Sequence, residues 1–275
     1  MISIEIPGGN ATGYSGEGGW CGISDQGVVT GIYIDASNNS QGFVWRNGTL
    51  HTLDNPGSAD TALSSVNNRG VALGFYGNTT TSQAAMYSCQ SGAWSTVPEI
   101  SGMPIVEGYG VNDSGAAVGW AGGADFVNPT SVAAWIWDPR SQSYSFFDVP
   151  GAPQYSTYAN AINDQGQIVG TFLDTSGAVH GFLKDGETYT TIDVPGATGT
   201  YAYGFNNSGT IVGVFVTLYG SGGGFVRTSD GRITVVNFPG GLATWIFNIN
   251  DREDICGDWV GPKTGLGNPF VGFKQ

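Results

Sequence analysis

The sequence predicts an all-β chain, a six-bladed β-propeller with four antiparallel strands per blade. Three observations lead there. A turn phrase recurs six times at a near-constant interval, the apolar residues come in short runs without helical period, and the first strand has no partner close to it in sequence.

The turn phrase is SDQG at 24–27, NNRG at 67–70, NDSG at 112–115, NDQG at 163–166, NNSG at 206–209 and a degenerate NDRE at 250–253, with spacings of 43 to 51 residues. A second phrase ends a strand before a turn: LDNPG at 53–57, FDVPG at 147–151, IDVPG at 192–196 and VNFPG at 236–240, with PEISG at 98–102 as a worn copy and IEIPG at 4–8 as the sixth. Residues 155–194 give the cleanest unit. They parse as YANAI, the NDQG turn, QIVGTF, a loop, HGFL, a KDG turn and YTTIDV. Asn, Asp and Gly supply the positive φ angles that tight turns need. Four antiparallel strands repeated every 40 to 50 residues are the mark of a propeller blade. The whole chain, 1–275, reads as one domain of six such repeats with no linker.

The last repeat runs through TWIFNIN, ICGDWV and NPFVGF and then stops, one strand short. The opening MISIEI aligns with YTTIDV, so the N-terminal strand (residues 1–6) is expected to complete the last blade and close the ring, protecting otherwise open edges. Gly31, Gly74, Gly119, Gly170, Gly213 and Gly257 share one position in the six second strands, which points to close approach of neighbouring sheets there.

These phrases carry a family resemblance. INDQGQIVGTFLDTSGAVHGFL followed by YTTIDVPGAT resembles the bacterial HAF-type extracellular repeat family, strongly over 150–215, visibly over 23–57 and weakly elsewhere. The resemblance implies propeller-like repeats, and many such proteins are expected to be secreted. It implies no reaction and no catalytic motif. This chain departs from it in showing no leader pattern, so the expected location is cytoplasmic for the chain as it stands and secreted if a leader precedes it.

Composition narrows the functions. Gly is 46 of 275 residues and charged residues only 11%, but 34 aromatic residues and abundant Val and Ile support a packed core rather than disorder. The net charge is −13, with nine Lys plus Arg and no basic cluster, which argues against nucleic acid and anionic membrane surfaces as partners. The chain is expected to be a monomer. Cys21, Cys89 and Cys256 lie in strand-like segments without metal-ligand spacing and are expected to be core residues rather than bridges.

Repetition separates scaffold from site. Carboxylates at the same place in several repeats read as structural. Those are the acids two before Pro-Gly (Glu5, Asp54, Glu99, Asp148, Asp193), the turn acids (Asp25, Asp113, Asp164, Asp251 and Asp138, Asp185, Asp230) and the loop pair Asp35 and Asp174. Eight remain: Glu17, Asp60, Glu107, Asp125, Glu187, Glu253, Asp254 and Asp258. Glu187, Glu253 and Asp254 fall on the hairpin-turn side. The others fall on the opposite face, where the loops between blades open on the funnel.

Counting back five residues from each turn Asn or Ser places Gly19, Ala62, Glu107, Tyr158, Tyr201 and Trp245 at the start of the innermost strands, with Trp20 beside them. An aromatic ring with one or two acids is the general form of a small-molecule site. The candidate catalytic residues are Glu107, Glu17, Tyr158 and Tyr201. The candidate ligand-binding residues are Trp20, Trp245, Tyr14, Tyr109, Asp60, Asp125 and Asp258. Desolvation beside aromatic rings would fit Glu107 for proton transfer. The alternative is that the aromatics only plug the funnel.

His180 occupies the place of Gln41 and reads as scaffold, and His51 lies on an outer strand. No His cluster suggests zinc or iron. No cofactor or metal is expected, a channel Ca²⁺ being the minor alternative. The upper loops differ from repeat to repeat while the scaffold phrases recur. One asymmetric site for a small organic or sugar-like ligand explains this better than repeated lectin sites or a protein-interaction platform. Metal-free acid–base chemistry of the lyase, isomerase, cyclase or hydrolase type is the expected chemistry if the site is catalytic, and a non-catalytic carbohydrate-binding propeller is the alternative.

Overall fold

The computed structural model describes residues 1–4, 20–35, 37, 39–53, 55, 58, 60–78, 80–122, 132–218, 220, 222–261 and 267–274. Every regular element among them is a strand. The strands form four-stranded antiparallel meanders in chain order. The first is β2 (Cys21–Ile23), β3 (Val29–Ile34), β4 (Ser40–Arg46) and β5 (Thr49–Leu53). Next come β6 (Asp60–Val66), β7 (Val71–Gly77), β8 (Ser82–Ser88) and β9 (Trp94–Thr96), then β10 (Ile105–Val111), β11 (Ala117–Gly122), β12 (Ala133–Asp138) and β13 (Ser143–Phe147). The fourth meander is β14 (Thr157–Ile162), β15 (Ile168–Leu173), β16 (Val179–Asp185) and β17 (Thr188–Ile192). The fifth is β18 (Gly199–Phe205), β19 (Ile211–Val216), β20 (Gly223–Arg227) and β21 (Ile233–Val236). The last holds β22 (Ala243–Ile249), β23 (Ile255–Val260) and β24 (Gly267–Gly272), and its outer place is filled by β1 (Ile2–Ser3). This is a β-propeller.

Its first and last strands meet. Ile2 and Ser3 pair antiparallel with Val271 and Phe270, and the Ile4 N–H donates to Pro269 O at 3.0 Å. Ile4 is 7% exposed and packs in one core cluster with Ile23 and Val271. The other core clusters likewise sit between consecutive meanders: Val118, Ala134 and Val149 pack against Ala159, Ile168 and Phe182.

The turn phrase builds the fastening. The N–H of Asp25 donates to Asn68 Oδ1, Asn68 to Asp113, Asp113 to Asp164, Asp164 to Asn207, Asn207 to Asp251, and Asp251 back to Asp25, each at 2.7–2.9 Å. A second belt runs alongside, with Asn67, Asn112, Asn206 and Asn250 donating through Nδ2 to the backbone O of Asn112, Asn163, Asn250 and Ser24 of the next turn. The first belt needs a short side-chain amide or carboxylate oxygen at a fixed place and the second a side-chain amide N–H, which is why the phrase recurs. The Pro-Gly phrase forms a reverse turn at its recurrences: Gly151, Gly196 and Gly240 have φ of 87°, 80° and 80°. Buried Thr157, Thr200 and Thr244 accept the N–H of Val149, Val194 and Phe238 and lock those turns to the next inner strand.

Two expectations are corrected. Cys21 and Cys256 are not separate core residues: they form a disulfide, with Cα atoms 6.2 Å apart across 235 residues. The bridge joins β2 of the first meander to β23 of the last, a proximity that linear spacing could not show. The recurrent glycines answer to their own sheet rather than to a neighbouring one. A Cβ on Gly74, Gly119, Gly170, Gly213 or Gly257 would stand 1.9–2.0 Å from the carbonyl O of Ala62, Glu107, Tyr158, Tyr201 or Trp245 on the paired inner strand.

Candidate functional site

The glycine contacts set the register of the innermost strands. The atom facing Gly31 in this way is Trp20 O, at 3.0 Å. Trp20, not Gly19, is therefore equivalent to Ala62, Glu107, Tyr158, Tyr201 and Trp245; Gly19 itself lies outside the described residues. The count slips by one because β6, β10, β14, β18 and β22 each carry a β-bulge, whereas β2 pairs with β3 without one. The bulges add Ser64, Tyr109, Asn160, Tyr203 and Phe247. A bulge re-aims the side chain it inserts.

Those inserted residues, with Trp20, meet across the axis. The Trp20 ring lies 4.4 Å from Tyr109, 5.3 Å from Tyr203 and 6.1 Å from Phe247, on inner strands of three different meanders. Tyr203 also contacts Phe247 at 5.6 Å and stacks on Tyr201 at 6.1 Å. Ser64 and Asn160 instead donate to the backbone O of Gly108 and Ala202 in the following meander, at 2.6 and 2.8 Å. The axis is thus packed with aromatic rings along one side and with hydrogen-bonded polar groups along another.

Glu107 stands beside this aromatic group. It is 8% exposed. Tyr109 donates its hydroxyl to Glu107 Oε2 at 2.5 Å, and Ser82 at the start of β8 donates to Oε1 over a longer 3.4 Å. Trp120, cross-strand from Glu107, hydrogen-bonds the Tyr109 hydroxyl, and its ring meets Tyr158 edge-on at 5.9 Å. Burial first, then the charge and hydrogen bond of Glu107, hold the Tyr109 hydroxyl well above the usual phenol range. Tyr109 is thereby fixed as a donor. The arrangement can hold a carboxylate dry, oriented at both oxygens and next to aromatic surface, which is what proton transfer or a directed hydrogen bond to a ligand requires.

A counterpart lies in the last meander. Trp245 pairs with Asp258 at the same register at which Glu107 pairs with Trp120, with acid and tryptophan exchanged between strands. Asp258 is 3% exposed. Asp60 sits at the rim end of β6 and accepts the Ser40 N–H at 2.8 Å, a fastening between the first two meanders. Glu17, Tyr14 and Asp125 lie outside the described residues. Sequence reasoning named Tyr109 only as a ligand contact, and it missed Tyr203, Phe247, Trp120 and Ser82. The signal for the first two was the extra residue before five of the six turns; nothing in the sequence singled out Ser82.

At the opposite end of the axis, a cavity of ≈ 70 Å³ is lined by turn residues of every repeat, among them Asp25, Asn68, Asp113 and Asp251. The belt ties up one carboxylate or amide oxygen of each, in keeping with a scaffold role. Among the described residues, no group of three or more His, Cys, Asp or Glu is placed to hold a metal ion. His180 packs on Phe172 and lies between Asp193 (2.8 Å) and Asp174 (3.5 Å), and Gln41 reaches the equivalent loop carboxylate, Asp35, at 3.2 Å. His51 is exposed.

No family model matches the chain, and no curated protein matches it. Among solved structures the chain is similar to the SapL1 lectin in complex with alpha methyl fucoside, at 13% identity over 93% of this chain and 95% of that one, with a TM-score of 0.59. It is similar to streptogramin B lyase at 13% identity, over 99% and 86% of the two chains, with a TM-score of 0.53. A third likeness is to the β-propeller domain of the Trilobed protease from Pyrococcus furiosus, which has an open velcro topology: 12% identity, 94% of each chain, TM-score 0.54. At such identities the likeness concerns the fold, and it agrees with the propeller described above.

Proposed function

We propose that the protein is a six-bladed propeller carrying one asymmetric small-molecule site at the aromatic part of its channel, with Glu107 as the proton-transfer group. The blade count is supported by the turn belt, which returns to Asp25 after six links. It treats β1 as the outer strand of the sixth blade, and the HAF-like phrases as the belt's raw material.

One observation carries the reading. At a position occupied in every blade, a single repeat places a buried carboxylate with hydroxyls on both oxygens, while the equivalent residues are Trp20, Ala62, Tyr158, Tyr201 and Trp245. Scaffold carboxylates recur; this one does not. In the reaction we assign, Glu107 accepts a proton from the bound molecule and returns it at a second position, while Tyr109 keeps its own proton and holds Oε2. Trp20 and Tyr203 supply stacking surface, Tyr158 and Tyr201 line the approach, and no metal takes part. Glu17, as a second catalytic group, and Tyr14 and Asp125, as ligand contacts, remain part of this proposal.

The second reading is a carbohydrate-binding propeller without chemistry, favoured by the fold likeness to a fucoside-bound lectin. Calorimetry against a metabolite and glycan panel separates them. About one site per chain, lost in Glu107→Gln, supports the first reading. Several equal sugar sites indifferent to Glu107→Gln support the second.

A further inference from the structure

The basic charges of this protein are sorted by face, while its acids lie on both. Every described lysine and arginine stands on the hairpin-turn side. Arg69 and Arg252 lie in the turns after first strands, Arg46, Lys184 and Arg227 at the turn ends of third strands, Arg140 and Arg232 in the turns that follow, and Lys274 just past β24. That side also pairs its charges: Lys274 with Glu253 at 2.7 Å, Arg252 with Asp254 at 3.6 Å, Lys184 with Glu187 at 3.9 Å. The rim face, where loops enter the inner strands and join second to third strands, holds Asp35, Asp60, Glu99, Asp148, Asp174 and Asp193, with Glu107 and Asp258 deeper. No lysine or arginine accompanies them among the described residues; Lys263 lies outside those residues. His180 is the basic group there, already held by Asp193 and Asp174.

We infer that the channel site takes a cationic ligand, an organic ammonium, and rejects anions; this rests on the site proposed above and adds its substrate class. Two independent features agree. Charges of one sign gathered on one face sum to a potential that concentrates oppositely charged ligands and repels like ones. Of the rings packed at the axis, Trp20 and Tyr203 stay partly exposed while Tyr109 and Phe247 are buried, and aromatic faces attract cations through the ring quadrupole. A phosphate or carboxylate ligand would meet this potential without a described Lys or Arg to receive it. A neutral sugar would gain nothing from it.

Three shape-matched probes test the class on the full chain: choline, 3,3-dimethylbutan-1-ol as its neutral carbon isostere, and 3,3-dimethylbutanoate. Calorimetry is expected to show choline binding at one site, roughly tenfold or more tighter than the alcohol, with no binding of the acid. Raising salt from 25 mM to 500 mM is expected to weaken choline several-fold and leave the alcohol unchanged. Glu99→Lys, exposed on the rim and outside the channel, is expected to weaken choline at low salt only. Binding of the alcohol or the acid as tight as choline, and lost in Glu107→Gln, overturns the cationic class and leaves the site standing. Choline binding that survives both Trp20→Ala and Glu107→Gln overturns the site and the class together. If none of the three binds, the class as stated falls, and a Glu107-dependent hit from the metabolite panel then keeps the site alone.

Discussion

The backbone N–H of Asp251 donates to the Asp25 carboxylate at 2.9 Å, although 226 residues separate them. This bond is the last link of a ring in which each repeat holds the next, and it is made by the first and last copies of the turn phrase. Asn68 and Asn207 play the acceptor part elsewhere in the ring, so the bond asks for a short side-chain oxygen and not for a charge.

Asp25→Ala is therefore expected to lower stability by about 1–2 kcal/mol, whereas Asp25→Asn keeps the link. Burial, then the nearby Asp251 charge, raise the Asp25 carboxyl above its ordinary value against opposing hydrogen bonds. A carboxyl whose folded pKa is raised opposes folding above that pKa, and the penalty lifts as pH falls toward the unfolded value. Asp25→Asn should equal or exceed the parent in melting temperature at pH 7, with any gain shrinking on acidification. Melts of the parent and both variants from pH 7 to 3.5 check this. An Asn variant as unstable as the Ala variant at every pH would refute the neutral-acceptor account.

The Cys21–Cys256 bridge should make stability depend on redox state. A cross-link closing a loop of 235 residues removes much chain entropy from the unfolded state, worth about 3–5 kcal/mol on that account. Denaturant unfolding with and without reductant, and of the Cys21→Ala/Cys256→Ala variant, is expected to show matching losses. Reductant should leave the double variant unchanged, because Cys89 is unpaired and partly buried, its thiol raised chiefly by burial.

His180 gives a pH signature of its own. Burial is the largest effect on the imidazole and lowers its pKa, but the hydrogen bonds and charges of Asp193 and Asp174 together outweigh it and the net shift is upward. A raised histidine stabilises fully below its unfolded pKa and loses that contribution as pH rises through the folded one. His180→Gln, the residue found in the first repeat, should cost stability at pH 5.5 and nothing at pH 9. The side chain is 24% exposed, so the cost is expected to stay below about 1 kcal/mol. Parallel melts at the two pH values check it.

Fold and site differed in how much of each the sequence displayed, for physical reasons. Belt residues recur because each repeat must make the same bond to the next, so Asn67, Asn112 and Asn206 announce themselves by spacing. Ile2 and Ile4 were legible as a missing fourth strand because pattern alone identifies an outer strand. The disulfide was not legible: Cys21 and Cys256 come together only through ring closure. A β-bulge is one inserted residue with no composition of its own, so Tyr203 and Phe247 looked like ordinary strand residues, and Tyr109, named as a ligand contact, gave no sign of its bond to Glu107. The same insertion shifted the first repeat and put Gly19 where Trp20 stands. Glu107 was found by its failure to recur, while Ser82, on the neighbouring meander, carries no such mark.

Removing residues 1–4 tests the closure most directly, because three fastenings meet at the same seam. The strand pairing of Ile2 and Ser3 holds the outer edge of the last meander, the disulfide holds its middle, and the Asp251–Asp25 and Asn250–Ser24 bonds hold its inner end. The truncated chain loses the burial of Ile4 and leaves β24 an open edge, a loss of at least about 2 kcal/mol. With the disulfide intact, the inner fastenings should keep the ring closed, and the chain should unfold in one transition at lower denaturant. With the disulfide reduced, the last meander keeps the belt bonds and the apolar packing of Phe247 and Val271 with Ile23 and Phe43 of the first. Truncation and reduction together should then cost more than the sum of their separate effects, read as a negative coupling in a double cycle of unfolding free energies. A truncated chain that melts like the parent in both redox states would show that β1 does not close the ring.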